Sequence, residues 1–242
     1  MSLDRRQFLA VGGAVLASAA LAPGMRLVEL AEARSPDQAV TNAQRWGILV
    51  DTTRCAEGCS ACVSACNKEN GLQQNVRLDI RPQWIRTVTL QDEQTGYVQT
   101  LPMMCQHCEE PPCADVCPTG ASFRRADGIV LVDRHICIGC RYCMMACPYK
   151  ARSFVHENLT GQRADVPRGK GTVEGCNMCV HRVDEGRIPA CVEACNYDGG
   201  KALTFGDMRD PASEIAKRLA TQQSEEIRPN LNLDTGVRYQ GL

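Results

Sequence analysis

All 16 cysteines of this 242-residue chain fall into four groups of four, with none left over. Cys55, Cys59, Cys62 and Cys66 read C-x3-C-x2-C-x3-C. Cys105, Cys108, Cys113 and Cys117 read C-x2-C-x4-C-x3-C-P. Cys137, Cys140, Cys143 and Cys147 read C-x2-C-x2-C-x3-C-P. Cys176, Cys179, Cys191 and Cys195 read C-x2-C-x11-C-x3-C. Thiolates this close together are ligands for soft metals, and the spacing decides which metals qualify.

The third group matches the run in which three cysteines bind one iron–sulfur cluster and the fourth ligates its neighbour. Three close thiolates wrap a loop around one face of a cubane. The fourth lies about one helical turn further on and points away. Zinc sites join two C-x2-C pairs and do not end in C-x3-C-P. A c-type haem needs C-x-x-C-H, whereas Glu109, Met144 and Val180 follow Cys108, Cys143 and Cys179. Disulfides need a geometry that C-x2-C neighbours rarely supply. The expectation is four 4Fe–4S clusters. By the swapped-fourth rule, Cys105, Cys108 and Cys113 share a cluster with Cys147, and Cys137, Cys140 and Cys143 with Cys117. The outer groups have no adjacent partner and are expected to pair in space. Cys55, Cys59 and Cys62 then take Cys195, while Cys176, Cys179 and Cys191 take Cys66. With every thiolate an iron ligand, no catalytic residue is expected.

The elements that must hold these groups are short. Ser122 to Arg125 and Ile129 to Val132 read as two strands around Ala126-Asp127-Gly128, with Asp-Gly the hairpin signal. Ala151 to Val155 reads as a returning strand. Pro118 and Pro148 turn the chain after their cysteines, because proline has no N–H and disfavours helix before it. Trp84 to Gln91 and Tyr97 to Leu101 form a second hairpin, a cover for a cluster or a docking surface. Asp210-Pro211 opens a helix with proline at its first position. Its apolar stripe is Ala212, Ile215, Ala216, Leu219 and Ala220. The tail from Arg228 to Leu242 is expected to run extended along the protein or a partner.

Charge and hydropathy narrow the function. The formal net charge of −1 gives no electrostatic support for nucleic-acid binding. No apolar run reaches the roughly 18 residues of a membrane span; Phe8 to Ala22 is short and ends at Pro23. Arg5-Arg6 before that stretch, and Ala31-Glu32-Ala33 after it, resemble a twin-arginine (Tat) signal with its cleavage site. Such a signal implies export of an already folded protein.

The four-group order, with "CQHCEEPPCADVCP" and "CIGCRYCMMACPYKARSF", resembles the four-cluster ferredoxin-like electron-transfer subunits. The resemblance spans about residues 46–205. The leader, "RCAEGCSACVSACNKEN", "GTVEGCNMCVHR" and "DTGVRYQGL" are similar to the DsrO family of the DsrMKJOP membrane complex, tied to dissimilatory sulfur metabolism. The implied fold is α+β: two interleaved bacterial-ferredoxin-like, two-cluster units with short helices, β-hairpins and long loops. Residues 1–33 are then the signal, 34–101 plus 156–205 the outer unit, 102–155 the central unit, and 206–242 a helix and tail. The implied function is a non-catalytic, periplasmic electron-transfer subunit, peripheral on the outer face of the cytoplasmic membrane. Its implied partners are a polytopic NrfD-type (DsrP) membrane subunit, a multihaem cytochrome c (DsrJ-type) and other subunits of that complex. The alternative is the electron-transfer subunit of an exported molybdenum reductase for polysulfide, thiosulfate or tetrathionate. A secreted disulfide-rich binding protein is the reading from another class, and thiol counting after iron removal separates it.

Two departures fall on the outer groups: three residues between Cys55 and Cys59 where the family has two, and Asn67 and Asn196 where proline is common. His107, inside C-Q-H-C, is expected to donate to a sulfur rather than to ligate. His135, His156 and His181 are expected to be structural or at the surface. Arg141 and Tyr142 are expected to shape solvent access.

Overall fold

The computed structural model describes residues 38–72, 80–160, 162–164 and 166–242. The leader read above lies outside them. Strand β1 (Trp46–Asp51) is the centre of a three-stranded sheet, antiparallel to β8 (Leu203–Asp207) and parallel to β9 (Val237–Gln240). A central strand covered on both faces needs a continuous apolar run, and Ile48, Leu49 and Val50 are all fully buried. The terminal strand β9 alternates instead, with Val237 and Tyr239 inside.

The expected tail is therefore a strand of the main sheet. Tyr239 reaches from it to the segment entering the second cysteine group. Its hydroxyl donates to the Pro102 carbonyl at 3.1 Å and accepts from Gln106 Nε2 at 3.1 Å.

Hairpin β2 (Ile85–Gln91) and β3 (Val98–Met104) pairs from Ile85↔Met104 to Gln91↔Val98 and leads straight into Cys105. Asp92 closes its turn by accepting from the backbone N–H of Gln94 and Thr95. Strands β4 (Ser122–Arg124) and β5 (Val130–Val132) form the expected small hairpin. Strand β6 (Arg152–Phe154) returns as expected. Its partner is β7 (Val173–Gly175), the strand that leads to Cys176, so this small sheet joins the third and fourth cysteine groups.

Six helices are described. Helix α1 (Ala61–Glu69) carries Cys62 and Cys66, and α5 (Ala190–Tyr197) carries Cys191 and Cys195. Both are C-x3-C pairs, so i,i+4 spacing puts each pair on one helix face. The two helices pack against each other with all four cysteines buried. The shorter α2 (Pro112–Asp115) and α3 (Tyr142–Ala146) carry Cys113 and Cys143 and also pack together. Helix α4 (Val180–Asp184) follows Cys179.

Helix α6 (Glu214–Thr221) begins three residues later than the proline signal predicts. Asp210 is used up in a turn, accepting from the N–H of Ala212 and Ser213. Ser213 is the cap, accepting from Ala216 N at 3.2 Å. Ile215, fully buried, anchors the stripe against β8 and β1. Among the described residues no helix is long and apolar enough to cross a membrane.

Candidate cluster-binding site

The structure gathers the sixteen cysteines into four sets, and each set takes its fourth member from a different sequence group. Burial pushes the Cys62 thiol up to about 12, with thiolates at Cys195, Cys55 and Cys59 adding to the shift. Cys55 likewise faces Cys59 and Cys195. Cys191, fully buried, is raised by burial and then by Cys179, Cys176 and Cys66. Cys108 is pushed up to about 12 by burial and by Cys105, Cys113 and Cys147. Cys117, Cys137, Cys140 and Cys143 line one cleft. Cys105, Cys108, Cys113 and Cys147 line another.

The sets also lie within electrostatic reach of one another in order. Cys62 is among the neighbours of Cys66 and of Cys191. Cys105 is a neighbour of Cys176. Cys113 is a neighbour of Cys143. The order is the Cys59 set, the Cys179 set, the Cys108 set and the Cys140 set. Exposure follows the same order. Every cysteine of the two middle sets is buried, while Cys55 and Cys59 at one end and Cys117, Cys137 and Cys140 at the other reach solvent.

The same backbone turn builds all four loops. The residue before each second cysteine has positive φ: Gly58 (75°), His107 (46°), Gly139 (73°) and Met178 (54°). This left-handed step turns the chain around one face of the set. Two of the four are not glycine, and non-glycine residues there carry strain that the surrounding structure must hold. The extra residue between Cys55 and Cys59 lies ahead of this step, so the first loop reaches the same turn.

Backbone N–H groups then aim at sulfur. Met178 donates to Cys176 Sγ at 3.4 Å, Ser122 to Cys117 at 3.4 Å, Ala151 to Cys147 at 3.5 Å and Ala202 to Cys195 at 3.2 Å. Such bonds stabilise negative charge on sulfur. At Cys117 burial pushes the thiol up, but the Ser122 N–H and the Thr119 hydroxyl outweigh it and hold the thiol below its ordinary value.

Most of these thiols would stay protonated without a metal, because burial and neighbouring sulfurs disfavour the thiolate. Ligation therefore needs the positive charge of iron, and metal binding and deprotonation are coupled. Among the described residues no three His, Cys, Asp or Glu side chains converge on a position for one ion. Four sulfurs about 2.3 Å from a single centre would make a zinc site, whereas a cubane takes each thiolate on a separate iron. His107 supplies an orphaned buried group at the same place. Its Nδ1 accepts from Val130 N at 3.0 Å, so the hydrogen sits on Nε2, which is buried with no partner among the described residues; the expected bond to a cysteine sulfur is not made. Burial, and then the Arg152 charge, depress its pKa to about 3, so the ring is neutral.

The remaining candidates have plain roles. His181 meets Glu69 at 2.8 Å, tying α4 to α1. His156 packs edge-on against Phe154 at 4.9 Å, and Arg141 lies over the same ring at 3.8 Å. His135 is exposed.

Two family models, each described as a 4Fe-4S dicluster domain, match residues 54–121 and 96–208. The Hdr-like menaquinol oxidoreductase iron-sulfur subunit 1 of Archaeoglobus fulgidus is 41% identical, over 99% of this chain and 98% of its own length. The chain belongs to the 4Fe-4S dicluster family. A tetrathionate reductase subunit of Salmonella typhimurium is 37% identical over 100% of this chain and 90% of its own. Protein NrfC of Escherichia coli K12 is 39% identical over 97% and 93%. As a tandem dicluster protein with 16 cysteines, the chain is a ferredoxin-like iron–sulfur electron-transfer subunit with four 4Fe–4S clusters.

Two functional residues escape sequence reasoning. Asn70, fully buried, donates Nδ2 to the Cys66 carbonyl at 3.0 Å and to Cys66 Sγ at 3.6 Å. Its position four residues after Cys66, capping the C-terminus of α1, was the available signal. Arg152 donates to Cys113 Sγ at 3.1 Å. Nothing in its local sequence points at a cysteine 39 residues away.

Proposed function

We propose that this chain is the periplasmic, non-catalytic electron-transfer subunit of a membrane-bound redox complex in dissimilatory sulfur metabolism. It connects a quinone-interacting, NrfD-type (DsrP) membrane subunit with a multihaem cytochrome c of the DsrJ type. Each cysteine set, with its swapped fourth member, holds one cubane. Bound there, the cubanes supply one-electron exchange with little movement of their ligands. The protein lines up the four sets, buries the middle two, and exposes one edge at each end.

The observation that carries this reading is the agreement between the order of the sets and their exposure. An active site would converge on one cleft; a conductor needs two accessible ends and an insulated middle. The Cys140 end is surrounded in sequence by exposed apolar side chains: Val116, Ile138, Tyr142 and Met145. Apolar surface of that kind marks protein–protein contact and supports the membrane subunit as the partner there. That leaves the Cys59 end for the cytochrome. In the proposed division, residues 34–101 and 156–205 form the outer two-cluster unit and 102–155 the central one. Residues 1–33 form a twin-arginine signal.

The menaquinol oxidoreductase in the name of the 41% identical relative supports this assembly. The tetrathionate reductase in the name of the 37% identical relative supports the alternative, a subunit of an exported molybdenum reductase. Affinity purification of the tagged chain from membranes separates them. A polytopic subunit and haem c are expected alongside it. Molybdopterin in the purified complex would replace the first reading with the second. Recovery of the chain alone, without either partner, would overturn both.

A further inference from the structure

Arg152 is nearly buried, at 8% exposure, and its guanidinium lies among cysteines of two neighbouring sets. One amino group donates to Cys113 Sγ at 3.1 Å and to Ser122 Oγ at 3.1 Å. Cys105 and Cys113 of one set, and Cys143 of the next, lie within its electrostatic reach, and a guanidinium keeps its charge inside a protein. No carboxylate among the described residues pairs with it. A buried guanidinium without a counter-charge is costly. The sulfurs with their bound cubanes are the negative charge within reach.

Local structure fixes the position. Arg152 opens β6 opposite Gly175 of β7. A Cβ at Gly175 would stand 2.8 Å from the Ala151 carbonyl oxygen, so glycine lets the two strands approach closely beside Arg152.

We propose that Arg152 raises the reduction potential of the cluster held by Cys105, Cys108, Cys113 and Cys147, and to a lesser degree that of the cluster held by Cys117, Cys137, Cys140 and Cys143. This rests on the ligand sets proposed above. Reduction adds one electron and no proton, making each cluster more negative by one charge. A fixed positive charge in a dry interior, with an N–H···S bond to a ligand, favours the more negative state. The guanidinium is charged before and after, so no proton accompanies the electron. Arg152 thus sets the energy step between the two sets that it faces and leaves the two distal sets alone.

Redox titration of the cluster-loaded full chain, followed by electron paramagnetic resonance, tests this. Iron and acid-labile sulfide are counted for the wild type, Arg152→Gln and Arg152→Lys. The Gln variant is expected to keep its iron and to lower one couple most. At the wild-type midpoint its reduced-to-oxidised ratio should fall about tenfold, equal to about 59 mV for one electron. A second couple should move less and two should stay, with Lys recovering most of the change. Full iron with four unmoved couples would overturn the proposal, as would an equal shift of all four. Loss of iron from both variants would make Arg152 a structural prop and also overturn it. Wild-type protein without iron would instead sink the ligand assignment beneath it, and this inference with it.

Discussion

Gly139 stands directly over the Gly171 backbone. A Cβ at Gly139 would lie 2.2 Å from the Gly171 carbonyl oxygen, and Gly139 has φ +73°. Both facts forbid a side chain: the conformation is strained for L residues, and the obstacle is backbone that cannot swing away. Gly139 lies between Cys137 and Cys140, so any relief moves ligands. Gly139→Ala is expected to empty one cubane, taking iron from about sixteen to about twelve per chain. Iron analysis reads this directly, and an alanine variant with full iron would show that the loop tolerates the shift.

The swapped ligands make a prediction that neighbours in sequence would not. Cys195→Ser should disturb the same paramagnetic signal as Cys55→Ser, although 140 positions separate them. Cys66→Ser should disturb the signal that Cys176→Ser disturbs, not the one assigned to Cys62. Matching of Cys66 with Cys62 would replace the interleaved arrangement with four sequential clusters.

How far the sequence reaches is set by which interactions are local. The C-x2-C and C-x3-C spacings are local, so the ligand groups and the helices presenting them are legible. So is the β4–β5 hairpin, because Asp127-Gly128 is its turn. The parallel pairing of β9 with β1 joins residues nearly two hundred positions apart, and a strand signal in "VRYQ" names no partner. Arg152 fails for the same reason. The positive-φ step shows at Gly58 and Gly139 but is hidden at His107 and Met178, where tertiary structure imposes what the residue does not prefer.

The ion pair between Arg168 and Glu174 is buried at both ends and bidentate, with both contacts at 2.8 Å. Arg168 also donates to the Gly71 carbonyl at 2.8 Å, joining the chain beyond α1 to the approach to Cys176. Removing one partner leaves an uncompensated buried charge, which costs about 3–5 kcal/mol. Glu174→Gln and Arg168→Met should each lower the thermal midpoint of the loaded protein markedly. The double variant Arg168→Met/Glu174→Met should recover much of the loss, because an apolar pair replaces an ionic one at little net cost. Additive losses in the double variant would show that each side chain acts through other contacts.

The adjacent arginines Arg5 and Arg6 carry the export half of the proposal. Exported cysteines ordinarily become disulfides, yet here all sixteen are committed to iron. Cubanes must then be assembled where iron, sulfide and reductant are available, before the chain leaves the cytoplasm. The interleaved ligands sharpen this point. Cys66 and Cys195 reach their sets only after α1 and α5 have packed together, so the loaded protein is a folded protein. A route that threads unfolded chains would deliver no clusters. Replacing Arg5 and Arg6 together with lysine keeps the leader's charge and removes the pair that the folded-protein route reads. Cell fractionation with iron analysis should then find loaded protein retained in the cytoplasm, with full iron and an uncleaved leader. Unimpaired export of the lysine variant with its clusters would break the link between this leader and the folded state of its cargo.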